Sequence, residues 1–484
     1  MINYGKLGAR HFMSQSFAKK TFKSIKGKAQ KALHRSLDQH VKLAVTGLSG
    51  SGKTAFITAL VKHLTTQADD KNLPFFDVMR EHRHVATKVV PQEALKVPTF
   101  NYPRALNTLL PSDGMPTWPA STERINTLRL AIKYQSNAGL RGHFSPQSTL
   151  YLDIIDYPGE WLLDLPMLEQ SYSQWCEQQY PLLTQPSRVN TSSDFLVAVD
   201  QLDLNAPVDE NALAHIAQLY QSMLVGLKKD TKLAMLQPGR MLMPGDLQGA
   251  PLLLFFPVSG EINSDDVVAG SNLAHLIKRF NAYIKEVVKP FYNEHFRHFD
   301  RQIVLVDVLS ALNEGHETLQ EQSSVINQLL AHFNYGESGF FKRLFKPNID
   351  KILFAANKSD HISAKHHKDL ALLLDSLVHE QSNHLKFDGV KIETMAMSSI
   401  TATQPRQITD KGQTLDCIYG KPLHEPDWLT YLPPQPPSRM LNKNEWPAQG
   451  FEFLSFSPMP SPDKQLKHIR LDHVMQYLLG DKLT

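Results

Sequence analysis

The stretch Gly47-Leu48-Ser49-Gly50-Ser51-Gly52-Lys53-Thr54 constrains this chain more than any other, because it satisfies G-x-x-x-x-G-K-[ST] between two apolar runs. Residues 41–46 before it read as a short buried strand, and residues 55–64 after it read as a helix. Strand, glycine loop and helix N-terminus together form an anion cradle. Small residues let successive N–H groups turn inward around a β-phosphate, and the helix dipole adds partial positive charge. In that arrangement Gly47, Ser49, Gly50, Ser51, Gly52 and Ala55 surround the phosphates. Lys53 supplies charge to the β/γ oxygens, and the Thr54 hydroxyl is a ligand for Mg²⁺. A plain glycine turn between strand and helix leaves Lys53-Thr54 without a reason.

Three later segments say what kind of nucleotide fits. Residues 150–155 form a strand candidate that ends in Asp156-Tyr157-Pro158-Gly159, a D-x-x-G. An Asp at a strand's C-terminal end can reach Mg²⁺ through water, and the Gly N–H can sense a γ-phosphate. The apolar run 351–356 leads into Asn357-Lys358-Ser359-Asp360. There the Asp360 carboxylate can accept from guanine N1–H and its 2-amino group, donors that adenine lacks at those positions. Lys358 is expected to lay its stem over the base and Asn357 to tie loops together, although a solvated polar turn also fits the bare tetrapeptide. Finally Ser398-Ser399-Ile400 stands where a last strand would offer an N–H to guanine O6.

These segments, in this order, resemble the motif set of translation-factor and Ras-like P-loop GTPases. The chain as a whole also resembles the YcjX-like family of bacterial stress-associated P-loop proteins. GLSGSGKT, WPASTERINTLRLAIKY, LDIIDYPGEWLLDL, VLVDVLSALNEG, FAANKSD and HIRLDHVMQYLLGDKL carry that resemblance. It implies an α/β P-loop NTPase fold: a Ras-like GTPase core, mostly parallel sheet flanked by helices, with a large helical insertion. Members are often described as ATPases; Asn357–Asp360 argues for GTP/GDP with Mg²⁺.

Two departures bear on catalysis. Glu160 stands where Ras-like proteins place the Gln that orients the attacking water. A carboxylate beside a γ-phosphate is repelled unless it is protonated or paired with a cation from a partner. No arginine finger can be assigned: Arg104, Arg124 and Arg129 read as surface charges. The first switch needs a hydroxyl just before the second strand, residues 126–134, and Thr122 is the candidate, as a Mg²⁺ ligand and catalytic group or as a turn or helix cap.

At 484 residues the chain exceeds a minimal GTPase module, so the core is read as discontinuous. Residues 1–40 read as a basic amphipathic helix, 41–203 as the first part of the core with a long, proline-rich switch I insertion, and 204–300 as a helical insertion. Residues 301–402 complete the core, and 403–484 form an extension packed on it. Residues 194–200, 301–308 and 451–456 read as strands, and His361, His366 and His367 as surface residues. Two distant cysteines, no apolar run of membrane-spanning length and no secretory leader suit a cytoplasmic protein. Net charge is +3, so the chain as a whole does not call for nucleic acid. The basic excess of residues 1–40 makes an anionic membrane surface a candidate contact, against a helix packed on the core. The leading functional expectation is a slow regulatory GTPase with a protein partner or activator still to be identified. A nucleotide-gated binder with negligible hydrolysis is the alternative. A P-loop kinase or motor-like ATPase is disfavoured by the base reader.

Overall fold

In the computed structural model, residues 39–47, 50–137, 147–230, 233, 235–333, 349–387 and 390–484 are described. The basic segment 1–38 and Ser49 therefore lie outside the described residues.

A seven-stranded sheet of order β2-β3-β4-β1-β5-β6-β7 organises the chain. Its strands are β1 (Gln39–Thr46), β2 (His84–Val90), β3 (Asn126–Gln135), β4 (Gln147–Asp156), β5 (Arg301–Val306), β6 (Lys351–Ala356) and β7 (Lys391–Ala396). Pairing is parallel from β4 through β7, and antiparallel where β3 meets β4 and β2 meets β3. The result is a mixed α/β architecture with a mostly parallel sheet, as expected of a Ras-like core. The central strands are apolar on both sides because both faces are covered. On β6, Ile352, Phe354 and Ala356 face one core while Leu353 and Ala355 face the other.

Helix α1 (Lys53–Thr65) follows β1 and buries Phe56, Ile57, Leu60, Val61 and Leu64. The long connection to β3 contains α2 (Tyr102–Leu109), whose start is capped by Asn101. It also contains β2, within a stretch expected to be a proline-rich loop. Residues 85 and 89 of β2 are exposed valines, so this edge strand lacks the buried alternation that marks a strand.

Between β4 and β5 stand α3 (Tyr172–Leu183), α4 (Val189–Asp200), α5 (Glu210–Asp230) and α6 (Asn272–Tyr283). Residues 194–200, expected as a strand, belong to α4. Ser192, Phe195 and Val199 are its buried residues, a spacing of three and four, while Val197 is exposed. The strand beside β1 on that side is β5. Beyond it, α7 (His316–Phe333) and α8 (His367–Phe387) pack on the same face.

After β7 the chain forms a small antiparallel sheet of β8 (Thr403–Asp410), β9 (Gln413–Gly420) and β10 (Leu429–Tyr431). It ends in α9 (Leu471–Leu479), which returns to the α1 side of the main sheet and buries Leu471, Val474, Met475 and Leu478. The expected strand 451–456 does not form. The Asn313 side chain takes both the Phe453 N–H and its carbonyl, at 2.7 and 2.8 Å, so that residue is satisfied by a side chain, and the run's end forms only an isolated antiparallel bridge of Phe456 with Pro422. Among the described residues no helix is long and apolar enough to cross a membrane.

Candidate functional site

The site lies at the C-terminal ends of β1, β4, β5 and β6, where open α/β sheets form ligand crevices. The loop after β1 turns sharply through glycines. Gly47 has φ 147°, and a Cβ there would lie 2.4 Å from the Leu305 carbonyl oxygen. Gly52 has φ 90°, and a Cβ there would lie 2.5 Å from the Asn357 amide nitrogen. Helix α1 then opens on Lys53, whose ammonium is buried and donates to the Gly47 carbonyl. Burial pulls the Lys53 pKa down, and the nearby Glu160 and Asp156 carboxylates oppose it.

Asp156 ends β4, fully buried. Its Oδ2 accepts from the Thr122 hydroxyl at 2.8 Å, and its Oδ1 has no hydrogen-bond partner among the described residues. Burial pushes its carboxyl up to about 6, against the pull of Lys53 and of the Thr122 hydrogen bond. The Thr54 hydroxyl donates to the Ala120 carbonyl at 3.1 Å. Thr54 and Thr122, distant in sequence, are thus brought to the same short segment 120–122. Two hydroxyls and a carboxylate with a bare oxygen are hard donors of the kind Mg²⁺ takes, so the residues present fit that ion.

Glu160 is buried in the segment Gly159–Glu169, and its carboxylate accepts from Lys228 of α5 at 2.7 Å. Burial by itself would raise the Glu160 carboxyl; Lys53 and Lys228 overcome that and hold it down at about 2. Gly47, Gly50, Gly159, Glu160 and Lys228 line a cavity of about 520 Å³.

On the other side of the glycine loop, Asn357 joins three loops. Its amide donates to the Ser51 carbonyl at 2.9 Å, and its side-chain oxygen accepts from the Ser399 N–H at 3.2 Å. Lys358 adopts φ 64° and its ammonium pairs with Asp307, which caps the helical turn after β5. Asp360 is held from within the chain: Oδ1 accepts from the Ser398 hydroxyl at 2.5 Å, and Oδ2 from the Ala402 and Thr403 amides at 2.6 and 3.2 Å. A carboxylate offers about four lone-pair positions. A base edge with two donors therefore needs one of these three bonds exchanged, and the 3.2 Å Thr403 bond is the longest. Ile400 and Ser399 line the same cleft of about 300 Å³, with Thr54, Thr122, Asn357 and Asp360.

That cleft has walls the sequence reading missed. Leu423, Ser455 and Phe456 come from the C-terminal extension, and the Trp118 indole donates to the Phe456 carbonyl at 2.8 Å. The Trp118-Pro119 pair just ahead of Thr122 was a signal for the segment; nothing in the local sequence ties residues 423 or 456 to it. His361, expected at the surface, is buried, its ring edge-on to Phe456 at 5.2 Å. Its turn lies beneath the extension, whereas His366 and His367 stay half-buried. Arg129 is likewise no surface charge. It is buried on β3 and bonds both Asp153 oxygens at 2.6 Å. Arg104 and Arg124 are exposed.

Comparison with known proteins places relatives beside this geometry. The profile of the YcjX-like family, DUF463, matches residues 41–483. A "Ras-like GTPase YcjX" from Shewanella oneidensis is 42% identical over 478 residues, covering 95% of this chain and 98% of the relative. A protein of the same name from Escherichia coli K12 is 40% identical over 467 residues, covering 95% of this chain and 100% of the relative.

Proposed function

The chain belongs to the YcjX-like family, and from that premise we propose that it is a regulatory GTPase: it binds guanine nucleotide with Mg²⁺ and hydrolyses GTP slowly. One observation carries the reading. Asn357 bonds the glycine loop at Ser51 and the last loop at Ser399, so phosphate cradle and base reader share one cleft. The relatives' name, Ras-like GTPase, supports it.

In this reading the amides of the Gly47–Thr54 loop and Lys53 hold the phosphates. Thr54, Thr122 and Asp156 would hold Mg²⁺, which would supply charge neutralisation to the phosphates. The hydroxyl of Thr122 and the amide of Gly159 are the contacts that follow the γ-phosphate. Asp360 exchanges its Thr403 bond for the guanine edge, while Ser398 keeps the carboxylate in place. With Glu160 in the water-orienting position, unaided turnover is expected on the order of 10⁻⁴–10⁻² s⁻¹. The segment Gly159–Glu169 is buried among insertion residues, so loss of the γ-phosphate is felt first by the insertion. The family resemblance implies a stress-associated role, and the two distant cysteines suit a reducing cytoplasm.

The test is a comparison of GTP, GDP and ATP affinities with and without Mg²⁺, on wild type, Lys53→Ala and Asp360→Asn. Wild type should prefer guanine nucleotides, Lys53→Ala should lose affinity, and Asp360→Asn should shift preference toward xanthine nucleotides by at least ~10-fold. ATP competing as well as GTP against a labelled GTP analogue overturns the guanine reading. Glu160 favours one second reading, a nucleotide-gated binder; it stands if no phosphate is released in single-turnover assays.

A further inference from the structure

The sequence left Glu160 needing either a proton or a partner's cation, and the structure supplies a cation from within the chain. Helix α5 buries a stripe of Leu213, Ile216, Ala217, Tyr220, Met223, Leu224 and Leu227 at three- and four-residue spacing. That stripe fixes the helix against the core and leaves Lys228 in its last turn, a position where the helix dipole favours a cation. The Lys228 side chain is 25% exposed and Glu160 only 2% exposed, with 2.7 Å between them. Both line the cavity that Gly47, Gly50 and Ser51 line. Glu160 therefore feels the positive charge of Lys53 from the core and of Lys228 from the insertion, and Lys53 also feels Asp156. Lys229 lines the same cavity.

We propose that Lys228 is a positioning residue for GTP hydrolysis, acting through Glu160 as an ion pair that joins the helical insertion to the phosphate site. A lone carboxylate beside a γ-phosphate adds repulsion where negative charge already accumulates. A lysine–carboxylate pair carries no net charge, so Glu160 can stay beside the phosphates and accept a hydrogen bond from the attacking water. The pair also explains why Glu160 serves where a neutral Gln stands in Ras-like proteins. The proposal rests on the GTPase reading above and adds to it the insertion's part in the reaction.

Single-turnover GTP hydrolysis and nucleotide affinity, measured on the full chain, test it. The variants are Lys228→Gln, Lys228→Arg, Glu160→Gln and the double variant Lys228→Gln/Glu160→Gln, with thermal melting to verify folding. Lys228→Gln is expected to slow hydrolysis at least ~10-fold with GTP and GDP affinities within about threefold of wild type, and Lys228→Arg to restore most of the rate. The double variant is expected to be no slower than the slower single, because the two residues act as a unit. Three results overturn the proposal: Lys228→Gln with a wild-type rate, single losses that multiply in the double, or a rate loss matched by an equal loss of affinity. The outcomes separate this inference from its premise. A wild type that hydrolyses GTP while Lys228→Gln is unaffected overturns the role of Lys228 alone. A wild type that neither binds nor hydrolyses GTP overturns the GTPase reading and the role of Lys228 with it.

Discussion

Replacing Gly239 by Ala tests how tightly the insertion grips the segment after Asp156. Gly239 opens a short helical turn, Gly239–Leu242, whose first N–H donates to Asp164 at 2.7 Å. The contact is closed further by the Tyr283 hydroxyl on Asp164 at 2.5 Å and by the Trp161 indole on the Met243 carbonyl at 3.1 Å. The Arg240 guanidinium lies 3.3 Å from the centre of the Trp161 ring. A Cβ at residue 239 would sit 1.9 Å from the Glu160 carbonyl oxygen and 2.5 Å from its carbonyl carbon. Real Cβ atoms essentially never come within 3.0 Å of such atoms, so the two backbones must part by about 1 Å. Neither neighbour is a flexible side chain, and overpacking of this sort costs ~1–3 kcal/mol. For a domain of 150–250 residues each kcal/mol lowers Tm by roughly 2–4 °C. Because the displaced peptide is that of Glu160, hydrolysis should fall as well, by up to ~10²-fold for a displacement near 1 Å. Nucleotide affinity should hold, since the Gly52, Lys53 and Asn357 contacts are untouched. Thermal melting, binding of a fluorescent GDP analogue and single-turnover GTP hydrolysis on Gly239→Ala measure the three effects. A variant that melts and turns over like wild type refutes the claim that the insertion sets the position of Glu160.

Two further outcomes concern stability. His63 is buried on α1 with its ring edge-on to His468 at 4.7 Å; burial first, and then His468, hold its pKa down at about 3. Between pH 3 and the ordinary 6.5 the native protein then binds fewer protons than the unfolded chain. Stability therefore rises with pH in that window and is lost as pH falls through it. Tm should drop from pH 7.5 to pH 5.5, and His63→Leu should flatten the drop. It should not abolish it, because burial lowers His361, His367 and His468 in the same direction. Leu478→Ala, in the terminal helix at a position 1% exposed, should cost ~2–5 kcal/mol in urea unfolding, and a loss below 1 kcal/mol would show that α9 is not part of the core.

The two ends of the site differ in how readable they were. The glycine loop, Asp156 and Asn357 could be found from sequence because each sits at the end of an apolar strand, and a parallel sheet carries such ends to one edge. Thr122 had only its place before β3 to mark it, and the structure sets its hydroxyl on Asp156. The strand expected at residues 194–200 failed because short apolar runs fit either period; the neighbours available decided for a helix. His361 and Arg129 were misjudged for a related reason. A polar residue's burial depends on what the remote chain lays over it, and no local pattern records that.

Sequence by itself determined the chemistry. Gly-Lys-Thr after a strand, Asp-x-x-Gly after another and Asn-Lys-x-Asp after a third supply donors and acceptors that, in the proposed reading, match phosphate, Mg²⁺ and a purine edge. Tertiary structure alone decided the company those residues keep. It set Lys228 against Glu160, Asp307 against Lys358, and Phe456 and Leu423 beside the cleft of Asn357 and Asp360. The physical reason is range: motif chemistry is written in neighbouring residues, whereas an ion pair between residues 160 and 228 exists only once packing has brought two separate segments within 2.7 Å.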